Sequence, residues 1–270
     1  THTDTHRQTD RQTQTLSHTR THAHTRTHAC VHTRHKRVSP QTHIYRYVYI
    51  NIGTSWDPWP GCGKVDPTRR GHYSGQGLAY DPAIFCIYVE PLQRVNMQLH
   101  KTGWINNSSL IIQAAVSQEP GLFPYYEYAG VNGVASSLSK TVKKTSVEFS
   151  EKKSSVSLTP VLTLKSIIDS IPDNVRILQL KSDVQGHDLK ALKSGGQSLR
   201  RVEEVFCECD STPIYADTDN TPASQMEFIQ SMGYEAGVNR EHDCNYRLLV
   251  DGKPIKRHTS VYLGNFLKKS

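Results

Sequence analysis

The stretch Ile177–Gly196, ILQLKSDVQGHDLKALKSGG, places the tightest constraint on the fold of this chain. Ile177, Leu178 and Leu180 make a near-continuous apolar run, the mark of a strand buried on both faces. The run turns polar at Ser182-Asp183-Val184-Gln185-Gly186. Leu189 and Leu192 then stand three apart, on one face of a helix that the Gly195-Gly196 pair stops. Open α/β sheets build their sites this way, with a strand delivering an acid to a loop just before a helix. Ligands then sit outside the carboxyl ends of the strands. Asp183 is therefore the expected centre of the chemistry.

Other segments repeat the pattern. IYRYVYINI, residues 44–52, reads as a first strand that ends at Gly53-Thr54-Ser55. A glycine there lets backbone come close to a ligand. Residues 55–80 are rich in Gly and Pro and read as a long loop. IFCIYV, residues 84–89, is a second buried strand with Glu90-Pro91 at its tip, an acid placed to accept from ribose hydroxyls. Residues 93–100 read as a short helix and LIIQAAV, residues 110–116, as a third strand. Residues 120–160 look irregular, and the run from Gly130 to Leu138 suits a ligand-facing loop or a surface hairpin equally well.

Further along, Thr163 opens a helix carrying Leu164, Ile167, Ile168 and Ile171. VEEVFC, residues 202–207, is a strand with Glu208 at its tip. Residues 221–232 are helical, with Pro222 in the first turn. Residues 246–250 and 261–263 read as late strands. Strands that alternate with helices or loops and end in polar tips predict an α/β fold with a doubly wound, mostly parallel sheet.

The first 43 residues belong to another class. Thr, His, Arg and Gln alternate there with almost no apolar residues, so the segment buries too little surface to offset its ordering entropy. A disordered tail is expected over 1–43, a folded domain over 44–264 and a basic end over 265–270. The tail carries seven Lys/Arg against two Asp, a net +5 of the chain's +7, which leaves residues 44–270 at +2. With a near-neutral folded part, nucleic acid is not an expected partner. The six cysteines form no CxxC. Cys207 and Cys209 lie on the same face of one strand and read as buried apolar residues, so no disulfide framework is expected. No apolar run is long enough to span a membrane. Together these features favour a cytoplasmic, reducing compartment.

LKSDVQGHDLKALKSGG, residues 180–196, resembles the K-x-D-x-E-G-x-E-x-x-x-L-x-G pattern of the FkbM-type methyltransferases, with Lys181, Asp183, Gly186, Asp188 and Leu192 matching. Gln185 stands where that pattern has Glu. Thr163-Leu164, Glu90-Pro91, Ser136-Ser137-Leu138, Glu208 and Met232-Gly233-Tyr234 follow in the family's order. The first-strand pattern D-x-G-A-N-x-G is reduced here to Gly53 within Asn51-Ile52-Gly53-Thr54-Ser55. The resemblance implies a Rossmann-like sheet of the class I methyltransferase type. It also implies S-adenosylmethionine as cofactor and methyl transfer to a hydroxyl of a sugar or other small molecule. Asn51, Gly53, Glu90, Ala115 and Val116 would then hold the cofactor. Asn132, Ser136, Ser137 and Gln185 would face the acceptor, and Asp183 and Glu208 would be catalytic. Two neighbouring carboxylates are expected to push one pKa toward neutrality, as suits a base. No third ligand for a metal is evident, so none is expected. The eroded first-strand pattern also suits a fold that has lost catalysis and binds a glycan or a protein. A dinucleotide-binding dehydrogenase would need the later glycines of GxGxxG, which are missing.

Overall fold

The computed structural model describes residues 45–54, 83–101, 105, 108–128, 135–141, 155–209, 215–237 and 243–256. The tail, the loop over 55–82, Asn132 and the expected strand over 261–263 lie outside these residues. Seven strands form the path of the main sheet, which is mixed. β1 (Tyr47–Ile52) lies at its centre, parallel to β2 (Ile84–Val89) on one side and to β7 (Arg176–Ser182) on the other. β3 (Ser109–Ile112) extends the sheet beyond β2, and β8 (Val202–Glu208) extends it beyond β7, both in parallel. β10 (Asp243–Val250) joins β8 antiparallel and carries β9 (Tyr234–Ala236) and β11 (Lys253–Pro254). The order β11-β10-β8-β7-β1-β2-β3 means that the chain leaves β1 to one side first and fills the other side later. Crevices form where strand order reverses in this way.

The core follows from the strand pattern. Ile50, Ile52, Leu180, Val205 and Cys207 are buried on one face of the sheet. Against them pack α2 (Leu164–Asp169), α3 (Asp188–Lys193), a 3-10 helix (Gly196–Arg201) and α4 (Pro222–Ser231). Side chains of this size each contribute about 1.5–3 kcal/mol when fully buried. Thr163 caps α2 by accepting from the Ser166 amide, and Thr221 caps α4 by accepting from the Ser224 amide. Tyr49, Cys86, Tyr88 and Leu178 form a smaller cluster. α1 (Gln93–Lys101) belongs to a third cluster, with Leu92, Ala115, Tyr125 and Val161.

The expected single strand over 110–116 is two strands. β3 ends at Ile112, and β4 (Ala115–Val116) pairs with β6 (Ser155–Leu162) in a second sheet of order β4-β6-β5. The stretch read as irregular contains β5 (Gly121–Glu127), antiparallel to β6. Pro124 and Pro160 mask the strand signal, because proline is excluded from central ladders. Pro124 is tolerated because β5 is an edge strand.

The reading of the cysteines needs correction. Cys207 is a free, buried thiol as expected, but Cys209 is bonded to Cys244. Cys86 is disulfide-bonded as well. In the β8–β10 register Cys244 stands opposite Cys207, and its bond runs diagonally to Cys209 at a Cα separation of 5.9 Å. Only the antiparallel pairing of strands 35 residues apart brings the two sulfurs together. The step from cysteine usage to a reducing compartment therefore fails. Among the described residues no helix is long and apolar enough to cross a membrane.

Gly53 closes the centre of the sheet. Its φ is +71°, and a Cβ there would stand 1.8 Å from the Asp183 carbonyl oxygen. Glycine is thus required for two strand tips to touch. Gly252 has a similar φ of +72° in open space. Gly53→Ala is expected to cost more than about 3 kcal/mol and Gly252→Ala about 1 kcal/mol, the backbone strain alone. Urea denaturation midpoints of the two variants check this; equal losses would remove the special role of the Gly53 contact.

Candidate active site

A crevice opens at the carboxyl ends of β1, β2 and β7. Gly53 and Asp183 stand on one side of it, and Glu90 and Pro91 come from the tip of β2. Val95, Ala115 and Val116 give an apolar wall, and Ser136 and Gln185 add polar groups. Glu90 is buried at 4% exposure. Its Oε1 accepts from the Leu92 amide at 2.9 Å, and its carbonyl accepts from Asn96 Nδ2 at 3.0 Å. Those bonds fix a carboxylate at the tip of β2.

The acids of β7 and β8 are linked through an amide. Gln185 Nε2 donates to Asp183 Oδ1 at 2.8 Å and to Glu208 Oε2 at 2.9 Å. Lys181 Nζ donates to Asp183 Oδ2 at 3.0 Å. The Tyr215 hydroxyl donates to Gln185 Oε1 at 2.7 Å, which orients the amide with its NH₂ toward the acids. Gln185 holds φ +53°, a left-handed conformation unusual for a residue other than glycine. The Ser137 hydroxyl donates to its carbonyl at 2.7 Å. The Glu208 carbonyl accepts from Gln225 Nε2 at 2.7 Å and from Asn220 Nδ2 at 3.2 Å.

These contacts set the protonation of Asp183. Burial pushes its carboxyl up, but the Lys181 ammonium, the Gln185 amide and the neighbouring Glu208 outweigh burial, and the pKa falls below the ordinary carboxylate value. The expected rise toward neutrality is therefore not found at Asp183. The reason is that the Lys181 charge, the bridging amide and the interaction with Glu208 together favour the ionised form. The helix that follows has His187 at its N-cap with no side-chain cap bond, so Asp183 does not cap it. Fully buried Asp188 instead braces the turn before the helix, accepting from Ser182 Oγ at 2.6 Å and from the Val184 amide at 3.2 Å.

The family model of the methyltransferase FkbM domain matches residues 76–248. The chain belongs to the FkbM methyltransferase family. No curated protein matches it. Among solved structures, methyltransferase FkbM from Methylobacillus flagellatus KT aligns at 12% identity and a TM-score of 0.40. That alignment covers 77% of this chain and 46% of the other, so the chain spans less than half of that protein. In this FkbM-family chain β1, with Asn51 and Gly53, precedes the matched residues.

Of the residues singled out from sequence, Gly53, Glu90, Ala115, Val116, Ser136, Asp183 and Gln185 line one crevice. Ser137 and Glu208 reach it through Gln185. Asn51 does not line it. Its amide is buried, and neither Oδ1 nor Nδ2 has a hydrogen-bond partner among the described residues. Asn132 lies outside the described residues. Tyr125, Tyr215 and Asn220 were not legible as site residues, because each is carried in from a loop or ribbon that no local motif marks. Lys181 was visible within the motif, but its pairing with Asp183 depends on the strand end.

Two outcomes follow from the electrostatics. Gln185→Glu replaces the donor between two acids with a third acid, so the Asp183 pKa should rise, as it should in Lys181→Met; ¹³C NMR titration of the carboxyl reads both. His187 is buried, and burial followed by the Lys190 charge lowers its pKa from 6.5 to about 4. Between those values the unfolded chain binds a proton that the folded chain does not. Stability is therefore lost as pH falls from 6.5 to 4, by on the order of 3 kcal/mol. The loss from Asp183 falls in a lower window, as pH drops through its depressed folded pKa. His187→Gln should flatten the upper window in a series of denaturation curves at stepped pH.

Proposed function

We propose that the protein is an S-adenosylmethionine-dependent methyltransferase acting on a hydroxyl of a sugar or other small molecule. The observation that carries this reading is the convergence of Gly53, Glu90 and Asp183, from three strand tips, on one crevice at the reversal of strand order. In this reading the main sheet is the Rossmann-like, doubly wound sheet of class I methyltransferases, completed by an antiparallel β10.

The crevice residues fit the cofactor. Glu90 is a fixed, buried carboxylate suited to a pair of ribose hydroxyls, and Val95, Ala115 and Val116 offer a flat apolar wall for the adenine. Asn51, with its unpaired buried amide, and Gly53 lie at the β1 end, where the methionine portion would be held. When bound, S-adenosylmethionine supplies an electrophilic methyl group on sulfur. The acceptor hydroxyl would enter beside Asp183, Gln185 and Glu208, with Ser136 and Ser137 bordering it. Asp183, ionised and paired with Lys181, accepts a hydrogen bond from the hydroxyl and aims its lone pair at the methyl carbon. Alignment of this kind supplies much of the rate in a displacement that needs little acid–base chemistry. Asp183, which accepts that hydrogen bond, would take up the proton as the hydroxyl oxygen is alkylated, with Glu208 beside the acceptor.

Isothermal titration with S-adenosylmethionine is expected to give saturable binding that Glu90→Ala weakens at least ten-fold. Asp183→Asn should keep the affinity while lowering the methyl-transfer rate roughly 10²-fold or more. The departure of Asn51-Ile52-Gly53-Thr54-Ser55 from the family pattern favours one second reading, a fold that has lost its cofactor and binds a glycan or a protein. Absence of cofactor binding in the wild type would select that reading.

A further inference from the structure

A second cavity of ≈ 340 Å³ adjoins the crevice, with Leu138 lining both. Its polar side is a relay of buried and half-buried groups. His187 Nε2 is 2.7 Å from Ser139 Oγ, and His187 Nδ1 is 3.4 Å from Ser117 Oγ. Glu119, Lys190 and Asp217 also line it. Lys140 Nζ sits 5.5 Å from the ring centre of Tyr126, another lining residue. Two carboxylates and one ammonium thus line the cavity, and the imidazole is held neutral. A lining with more acid than base disfavours an anionic ligand. Its hydroxyls, imidazole, amide and carboxylates match a ligand that carries several donors and acceptors without net charge.

The cavity continues onto an exposed apolar track. Leu122, Pro124 and Tyr126 of β5 stand opposite Pro160, Leu158 and Val156 of β6. Three successive pairs on one face are therefore apolar, and Leu122, Val156 and Leu158 are 68%, 61% and 71% exposed. The alternate residues Phe123 and Tyr125 pack inward against the α1 cluster, so alternation fixes which face is outward. Pro124 and Tyr126 belong to both the track and the cavity wall. From Leu122 to Tyr126 the track runs roughly 14 Å. Contiguous exposed apolar surface rimmed by polar groups marks a binding site.

We propose that the cavity and the track together bind one neutral amphiphile, with a polyhydroxylated head in the cavity and an alkyl tail along Leu122, Pro124, Leu158 and Pro160. The site is separate from the methyl-transfer crevice and stands whether or not the chain transfers methyl groups. Polar and apolar parts adjoin through shared residues, which a purely polar or purely apolar ligand would leave half used.

The test uses octyl β-glucoside below its micelle concentration, titrated into the full chain without S-adenosylmethionine. Glucose is the head-only control and octyl sulfate the control with a charged head. Octyl glucoside should bind saturably and at least ten-fold tighter than either. Leu158→Ser, at an exposed position outside the cavity, should bring its affinity down to that of glucose. Lys190→Met should weaken octyl glucoside and glucose alike. Equal affinity for octyl glucoside and octyl sulfate would overturn the proposal, as would unaltered binding in Leu158→Ser. So would cosedimentation with phosphatidylcholine vesicles that Lys190→Met leaves unchanged, since that result would assign the track to a membrane surface. S-adenosylmethionine titration of the same samples reports on the crevice alone, so the two readings fail independently.

Discussion

The contact between Gly53 and the Asp183 carbonyl sets the geometry of the rest. It brings the tips of the two central strands together where a Cβ would stand 1.8 Å from an oxygen. β1 is flanked by β2 and β7, and the crevice is lined from the tips of all three strands. Glu90 enters from the β2 side and the Asp183–Gln185 turn from the β7 side. A wider separation of the two tips would move the acids apart.

Within that frame, the balance of charge decides what the acids can do. The Gln185 amide that joins the two carboxylates and the interaction with Glu208 both favour the ionised form of Asp183. The Lys181 ammonium tips the balance further toward ionisation of Asp183. Glutamine in place of the family's glutamate thus changes the cluster from three acids to two, held by a neutral bridge. The left-handed backbone of Gln185 is the strain that this placement stores, and contacts from Ser137 and Tyr215 keep it in position.

The edges of the main sheet are tied down by different means. Toward β10, the Cys209–Cys244 bond and the side chains of Asn220 and Gln225 anchor the end of β8 that presents Glu208. Past β3, the chain passes into a small second sheet whose inner face packs on α1 and whose outer face is apolar and open. The same ribbon therefore lends Tyr125 to the crevice and Tyr126 to the second cavity.

Much of this was written locally in the chain. Ile177 to Ser182 had to be a buried strand, Thr163 and Thr221 had to cap helices, and Glu90 and Asp183 had to fall at strand tips, because each depends on neighbours a few residues away. Their meeting in one crevice followed from the α/β alternation. The sequence could not show that 110–116 divides between two sheets, since one apolar run satisfies either arrangement. Nor could it show the β5–β6 ribbon, whose prolines hide the strand signal. The pairing of Cys209 with Cys244 and the direction of the Asp183 pKa shift were likewise decided only by tertiary structure. Both depend on which distant side chains come within a few ångströms, and register between strands sets that distance where composition does not.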